Sequence, residues 1–456
     1  MADGLADLTP ETLIGLVRSD AFKAFKVGVT DIDGVLRGKY MHRDKLISSL
    51  KGGFGFCDVV LGWDLDDRLL DNLTYTGWHT AYPDVEVRLL PGSARPIPFE
   101  DKTLFLLGEF AGRAEAICPR GLLRRVLARA EALGFSAKAG FEFEFFVFDE
   151  TPRSIREKGY RNLQTITPGA FGYSVLRSSV HAELYHELLE LCETMRMPLE
   201  GLHTETGAGV LEAALQADGA LEAADRAALF KTFTKILFQR RGLMATFMAK
   251  WSPNWPGQSG HIHISLAGLA GEPVFHQEDT PHAMSQTMRW FVGGQQRLMP
   301  ELLAMIAGTV NSFTRLTPGF WAPTSASWGI ENRTTALRVV GGGPKSQRVE
   351  HRVGAADINP YIALSAALGS GLWGIENRIE PTAPVSGDAY AQSPSDDLAF
   401  AATLGEAAER LKGSAAAVTL FGREFVDHFA ATRVWEERQF RRAVTSWELE
   451  RYFEII

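Results

Sequence analysis

The chain has 456 residues, of which 45% are hydrophobic and 22% charged, a composition that can bury a large core shared by two or three domains. A net charge of −8 argues against nucleic acid as a partner, and no apolar run approaches the length of a membrane span. The scattered Cys57, Cys118 and Cys192 exclude a disulfide framework and a zinc knuckle, and with no basic or apolar leader in Met1-Ala2-Asp3-Gly4 the expected compartment is the reducing cytoplasm.

In chain order, Thr9-Pro10-Glu11 opens a helix, with Thr9 as its cap and Pro10 in its first turn. A strand and turn follow over Phe25–Val35, and short strands are expected at Val85–Leu90 and Leu104–Phe110. Residues 1–112 read as a small sheet-rich domain, and 113–456 as a larger one. Pro119 starts a helix that Gly134 stops. Residues 152–175 read as a loop, as does Val310–Ser325 with its Pro318-Gly319 and Ala322-Pro323; a long loop in a compact domain is usually functional. Long helices are expected over 178–195, 219–241, 282–306, 359–376 and 400–412.

The central stretch is Gly140-Phe141-Glu142-Phe143-Glu144-Phe145-Phe146-Val147-Phe148. Side chains alternate along a strand, so Glu142 and Glu144 share one face and Phe141, Phe143 and Phe145 the other. Two parallel carboxylates on an apolar strand need a counter-charge, and a divalent cation is the simplest; a solvated sheet edge is the alternative. Two more stretches repeat the device. Residues 257–266 place His261, His263 and Ser265 on one face, and residues 347–353 do the same for Arg348, Glu350 and Arg352. A block with Glu205 and Glu212 around a Gly-rich bend, a loop Arg315, and Arg333, Arg338 and Lys345 complete the inventory. Carboxylates, imidazoles and arginines together suit a metal-bridged phosphate site.

These motifs resemble the glutamine synthetase family over nearly the whole chain. They run in the family's order: Glu142-Phe-Glu144, His203…Glu205…Glu212, His261-Ile-His263, Asn311-Ser312…Arg315…Pro318-Gly319, Asn332-Arg333…Arg338, Arg348-Val-Glu350-His-Arg352 and Asn359-Pro360-Tyr361. The resemblance implies an α+β protein with an N-terminal β-grasp domain and a catalytic domain whose curved antiparallel sheet forms a half-barrel flanked by helices. It implies ring assemblies, preferably a homododecamer of two stacked hexameric rings, with each site between two subunits. It also implies roles. Glu144, Glu205 and Glu212 match ligands of a first Mg²⁺ or Mn²⁺, and Glu142, His261 and Glu350 those of a second. His263, Ser265, Arg338, Lys345 and Arg348 match residues at the ATP phosphates, and Glu200 one at the ribose. Arg315, Arg333 and Arg352 match groups gripping the carboxylates of glutamate and the transferred phosphoryl group, and Gly257 a backbone contact to the amino acid.

The chain departs from the family at the nucleophile. Ammonia-using members carry a Glu on the flap after Pro-Gly-aromatic, and here Trp321 follows Pro318-Gly319-Phe320. The second ammonium-site acid, from the neighbouring subunit, is not recognisable; Asp58 and Asp64 are the candidates. Tyr173 matches the pocket tyrosine, and Tyr390 reads as ordinary loop sequence. The phosphorylating half is intact and the ammonium half is rebuilt, as in the family's γ-glutamyl-amine ligases. The leading expectation is an ATP-dependent ligase joining glutamate to an organic amine; glutamine synthetase is the alternative. A non-catalytic ring scaffold is the third reading, and it has no need of five converging carboxylates.

Overall fold

The computed structural model describes residues 5–456; Met1–Gly4, read above as lacking a leader, lies outside the described residues. Six strands form a first sheet: β1 (Ala24–Thr30), β2 (Leu36–Tyr40), β3 (Phe54–Cys57), β4 (Asp84–Leu89), β5 (Arg95–Pro96) and β6 (Thr103–Phe110). Their order is β2-β1-β6-β4-β3 with β5 beside β6, and β1 runs parallel to β6 while the other pairs are antiparallel. Helices α1 (Pro10–Arg18) and α2 (Arg43–Gly52) close a core of Leu13, Val17, Val27, Val29, Leu46, Val87, Leu104 and Phe110. Thr9 caps α1 through a reciprocal pair with Thr12.

The second sheet has nine strands and curves into half a barrel. It comprises β7 (Phe135–Phe148), β8 (Leu199–Thr204), β9 (Val210–Leu215), β10 (Asp218–Gly219), β11 (Met244–Thr246), β12 (Gly260–Gly268), β13 (Trp328–Ile330), β14 (Leu337–Val340) and β15 (Arg348–His351). The order is β13-β14-β15-β12-β7-β9-β8, with β10 and β11 also on β7. β7 is the spine. Its phenylalanines pack backward: Phe141 stacks on Phe143 at 5.8 Å between centroids, Phe143 on Phe230 at 6.2 Å and Phe145 on Phe247 at 5.2 Å. This frees the opposite face for polar groups.

The helices behind and around the sheet are α3 (Pro119–Ala132), α4 (Pro152–Glu157), α5 (Val175–Val180), α6 (Ala182–Thr194), α7 (Ala220–Arg240), α8 (Gln286–Ile306), α9 (Val310–Arg315), α10 (Pro360–Asn377), α11 (Leu404–Gly413), α12 (Ala415–Phe421), α13 (Arg423–Phe440) and α14 (Ser446–Tyr452). Both stretches expected to be loops contain a helix. Thr151 caps α4 with Ser154 as reciprocal partner, and Thr309 caps α9 with Ser312 in the same way. The helix expected over 178–195 divides into α5 and α6 at His181. The helix expected from 282 begins at Gln286, where the Ser285 hydroxyl accepts from the Met288 N–H. The expected strand at 257–266 begins at Gly260, because Gln258 and Ser259 use their polar groups elsewhere: Gln258 Oε1 accepts from the Phe146 N–H at 2.7 Å.

Candidate active site

Register gathers the polar residues. Across β7 and β12, Glu142 faces His261; across β7 and β9, Glu144 faces Glu212. Glu212 in turn faces His203 on β8, Glu350 on β15 faces His263, and Arg338 on β14 faces Glu350. Strand alternation therefore places Glu142, Glu144, His203, Glu212, His261, His263, Arg338 and Glu350 on one face, opposite the phenylalanines. Ser265 follows on the same face of β12, and Arg348 on that of β15.

The contacts form two groups. In the first, His261 Nδ1 lies 3.3 Å from Glu350 Oε1 and 3.6 Å from Glu142 Oε2, and His263 Nε2 lies 3.0 Å from Glu142 Oε1. Arg352 Nη1 donates to Glu350 Oε1 at 2.5 Å, and Arg338 Nη1 to Glu350 Oε2 at 3.1 Å. Arg348 Nε donates to His263 Nδ1 at 3.0 Å, so the proton of a neutral His263 ring sits on Nε2, toward Glu142. In the second group His203, Glu205 and Glu212 converge, with His203 Nε2 3.4 Å from Glu205 Oε1. The Ser259 N–H donates to Glu144 Oε2 at 2.6 Å.

The donor sets suit divalent cations, with two differences from expectation: His263 stands in place of His261 in one and His203 in place of Glu144 in the other. The atoms that come within reach of one another are those of Glu142, His263 and Glu350, and of His203, Glu205 and Glu212. His261 flanks the first set, its Nε2 buried without a hydrogen-bond partner among the described residues. Burial and the charges of Glu144, Glu142, Glu205 and Glu350 push Glu212 up to about 9, which is the signature of a carboxylate cluster short of positive charge. Burial also raises Glu144. At Glu142 burial opposes ionisation, but His261 and His263 outweigh it and hold the carboxylate well below its ordinary range. Burial, with Arg352 beside it, pushes His261 down to about 4, so the ring is neutral and available as a ligand.

The residues expected on the substrate side are held in different ways. Arg315 is buried at the end of α9, where Nη1 donates to Val353 O at 2.9 Å and Nη2 to Arg352 O at 3.4 Å. Burial lowers Arg315 to about 10. The α9 cap is anchored through Asp357, which accepts from Thr309 and Ser312 at 2.7 Å each. Gly257 lies against the Arg315 stem; a Cβ there would meet Arg315 Cγ at 2.5 Å and Ala249 O at 2.8 Å. Tyr173 stacks on His203 at 4.4 Å and 12°. Burial, and then the Glu205 carboxylate, raise the Tyr173 phenol to about 12, so it donates rather than accepts protons. Arg333 and Lys345 are exposed on loops, and Glu200 is exposed at the far end of β8. Trp321 is 56% exposed on the flap at φ 60°, a left-handed conformation unusual for a bulky residue.

Three residues end differently from their sequence reading. Asp58 is fully buried and engaged, accepting from Thr76 at 2.8 Å and Arg113 at 3.0 Å. Asp64 accepts from the N–H groups of Asp66 and Arg68, both at 2.9 Å. Asp58 is thus paired with Arg113 within the chain, and Asp64 Oδ1 closes its own turn. Tyr390 turns its hydroxyl inward, where burial raises its pKa against the opposing charges of Arg352 and Arg315. A surface hollow of about 740 Å³ lined by Arg297, Glu301, Trp373 and Arg410 shares no residue with this cleft.

Residues 116–452 match the family model for the glutamine synthetase catalytic domain. The chain belongs to the glutamine synthetase family. Its members are ATP-dependent carboxylate–amine ligases that use divalent metals, and this chain is an enzyme of that class. It is 45% identical over 439 residues to type-1 glutamine synthetase 2 of Dictyostelium discoideum, covering 94% of this chain and 84% of that one. It is 36% identical over 435 residues to the glutamate–isopropylamine ligase of a Pseudomonas species, covering 94% and 95%. A solved structure of GmaS without ligand superposes with a TM-score of 0.83 at 25% identity, covering 97% of this chain and 99% of that one. No helix among the described residues is long and apolar enough to cross a membrane.

Proposed function

We propose that the enzyme activates the γ-carboxylate of glutamate with ATP as an acyl phosphate and condenses it with an organic amine. Trp321 carries this reading: it stands more than half exposed on the flap where ammonia-using members place a Glu. Indole offers an apolar face and a π-surface, which suit an amine with a carbon body and serve bare ammonium poorly. The engagement of Asp58 and Asp64 within the chain supports the same reading. So does the relative named for isopropylamine. Glutamine synthesis from ammonia is the second reading, supported by the 45% identical relative named for it and by the Tyr173–Glu205 pair.

In this proposal a γ-carboxylate oxygen attacks the γ-phosphorus of ATP and ADP departs; the amine nitrogen then attacks the acyl carbon and phosphate leaves. Glu144, Glu205 and Glu212 would hold one Mg²⁺ or Mn²⁺, with His203 beside them, and Glu142, His261 and Glu350 would hold a second, with His263 beside them; such cations would neutralise phosphoryl charge. Arg315, Arg333 and Arg352 grip glutamate and the transferring phosphoryl group. His263, Ser265, Arg338, Lys345 and Arg348 face the nucleotide phosphates, and Glu200 the ribose. The first sheet, as the β-grasp domain of residues 1–112, completes a neighbour's cleft in a ring. A phosphate-release assay with ATP, glutamate, magnesium and a panel of amines including ammonium tests the reading. Preference for an organic amine supports it, and equal use of ammonium removes it.

A further inference from the structure

Lys250 belongs to none of the groups described so far. Its side chain is 7% exposed, and its ammonium is buried without a hydrogen-bond partner among the described residues. Burying an ammonium without acceptors is costly unless something else balances the charge. What faces it is the flap: Nζ lies 4.1 Å from the centroid of the Phe320 ring. The backbone of Lys250 is fixed on both sides by one residue of α9, since its N–H donates to Asn311 Oδ1 at 2.8 Å and its carbonyl accepts from Asn311 Nδ2 at 2.9 Å. The neighbouring Ala249 carbonyl accepts from the Gln258 N–H at 2.7 Å, which ties the segment to the loop carrying Gly257. Lys250 is thus a rigidly mounted cation beneath a flap whose own backbone is left-handed at Gly319 and Trp321, with φ of 81° and 60°.

We propose that Lys250 is a positioning residue for the flap: its ammonium holds Phe320 by a cation–π contact and thereby fixes how the adjacent Trp321 is presented to the nucleophile. The geometry has a chemical logic. An aromatic face attracts a desolvated cation without neutralising it, so the latch can hold the flap and still release it when product leaves. A carboxylate partner at Phe320 would bind Lys250 more strongly and would set a negative charge beside Arg315 and the substrate carboxylates. The role of Trp321 rests on the amine reading above, but the latch does not depend on which nitrogen compound is used.

The test is a double-mutant cycle on the full-length enzyme with its best nucleophile, whichever that is. Lys250→Met and Phe320→Leu should each raise the nucleophile KM roughly 30-fold, the fold-change of a desolvated cation–π contact, while the KM for ATP stays within about twofold. The double variant should be no worse than either single one, and Lys250→Arg and Phe320→Tyr should restore most of the loss. Amide exchange of residues 317–322 should accelerate equally in both single variants. Additive losses, an unchanged nucleophile KM in either single variant, or failure of both conservative variants to rescue would overturn the latch. If Lys250→Met does not fold, the Phe320 pair and the exchange measurement decide alone. A latch that passes in an enzyme preferring ammonium would retain this proposal and remove only the amine reading.

Discussion

Glu144 and Glu212 stand directly opposite each other across the β7–β9 pair, two carboxylates on one half-buried face. Like charges in that relation destabilise a sheet, and four neighbouring acids raise Glu212 to about 9 after burial has raised it first. Function and stability should therefore oppose each other here. In metal-free protein, Glu212→Gln should stabilise the fold by roughly 1 kcal/mol, seen as a higher Tm in chelator. The same substitution should abolish turnover and the Tm gain that added Mn²⁺ gives wild type. Glu144→Ala and Glu205→Ala should fold and lose activity by on the order of 10³-fold. A metal-free Glu212→Gln protein less stable than wild type would contradict this account of the cluster.

Arg315 reaches the cleft from a helix whose cap depends on Asp357. Both Thr309 and Ser312 donate to Asp357 Oδ2 at 2.7 Å. Asp357→Ala should loosen α9, raise the KM for glutamate about tenfold and leave the KM for ATP nearly unchanged, because none of the residues proposed for the nucleotide side lies on α9. Equal changes in both KM values would mean that Asp357 supports the fold at large rather than Arg315.

At the start of α9, Glu436 is raised to about 7, by burial first, with Asp33 and Asp357 adding to it and Arg433 and the Val310 N–H opposing. The unfolded carboxylate ionises near 4.5 and the folded one near 7, so the folded state holds the extra proton between those values. Stability contributed by this group is full below about 4.5 and falls as pH rises to about 7. Glu436→Gln keeps an acceptor for the Val310 N–H, 2.9 Å away in the wild type, and should flatten that fall. The variant should gain on the order of 1–3 kcal/mol over wild type at pH 7.5 relative to pH 4.5, measured by denaturant unfolding. A constant difference across that range would refute the assignment.

Much of this was legible in the sequence. The alternation in residues 140–148 gave the spine strand, its two faces and the direction of its glutamates, because period two is the strongest local signal a half-buried strand carries. Spacing of i, i+2 on three strands located the site, since side chains that share a face need only the right register to converge. Other elements left weaker traces. The short α4 and α9 sit in Thr- and Ser-rich stretches that read as loop, although Thr151…Ser154 and Thr309…Ser312 are capping pairs that can be read as helix starts. α2 and α13 carry broken apolar patterns. α13 is held in place partly by Arg433 pairing with Asp33 and by His428 meeting the Leu61 carbonyl at 2.9 Å, contacts hundreds of residues apart that no local pattern encodes. Lys250 left no trace for the same reason, and Tyr390 read only as loop: a lone Lys or Tyr in a loop gains meaning only from what the fold sets beside it.

The C-terminal segment exposes Trp447, Phe453, Ile455 and Ile456, and such a cluster of large apolar side chains needs a cover. The ring assembly proposed above would supply one. Light scattering should give the mass of a dodecamer, and truncation after Thr445 should lower it while leaving the monomer fold intact. An active monomer would contradict the assembly and, with it, the shared cleft.

The central claim concerns the nucleophile. Ammonium is small and strongly hydrated, and it needs carboxylates to replace its water and accept its proton. An amine with a carbon body gains from burial at roughly 25 cal/mol per Å² of apolar surface, so a three-carbon body gains on the order of 2 kcal/mol, more than tenfold in affinity. The decisive measurement is the ratio of kcat/KM for the best organic amine to kcat/KM for ammonium, in wild type and in Trp321→Glu. The account predicts a wild-type ratio of at least about 10 that falls in the variant. A wild-type ratio at or below one would contradict it and make the enzyme a glutamine synthetase.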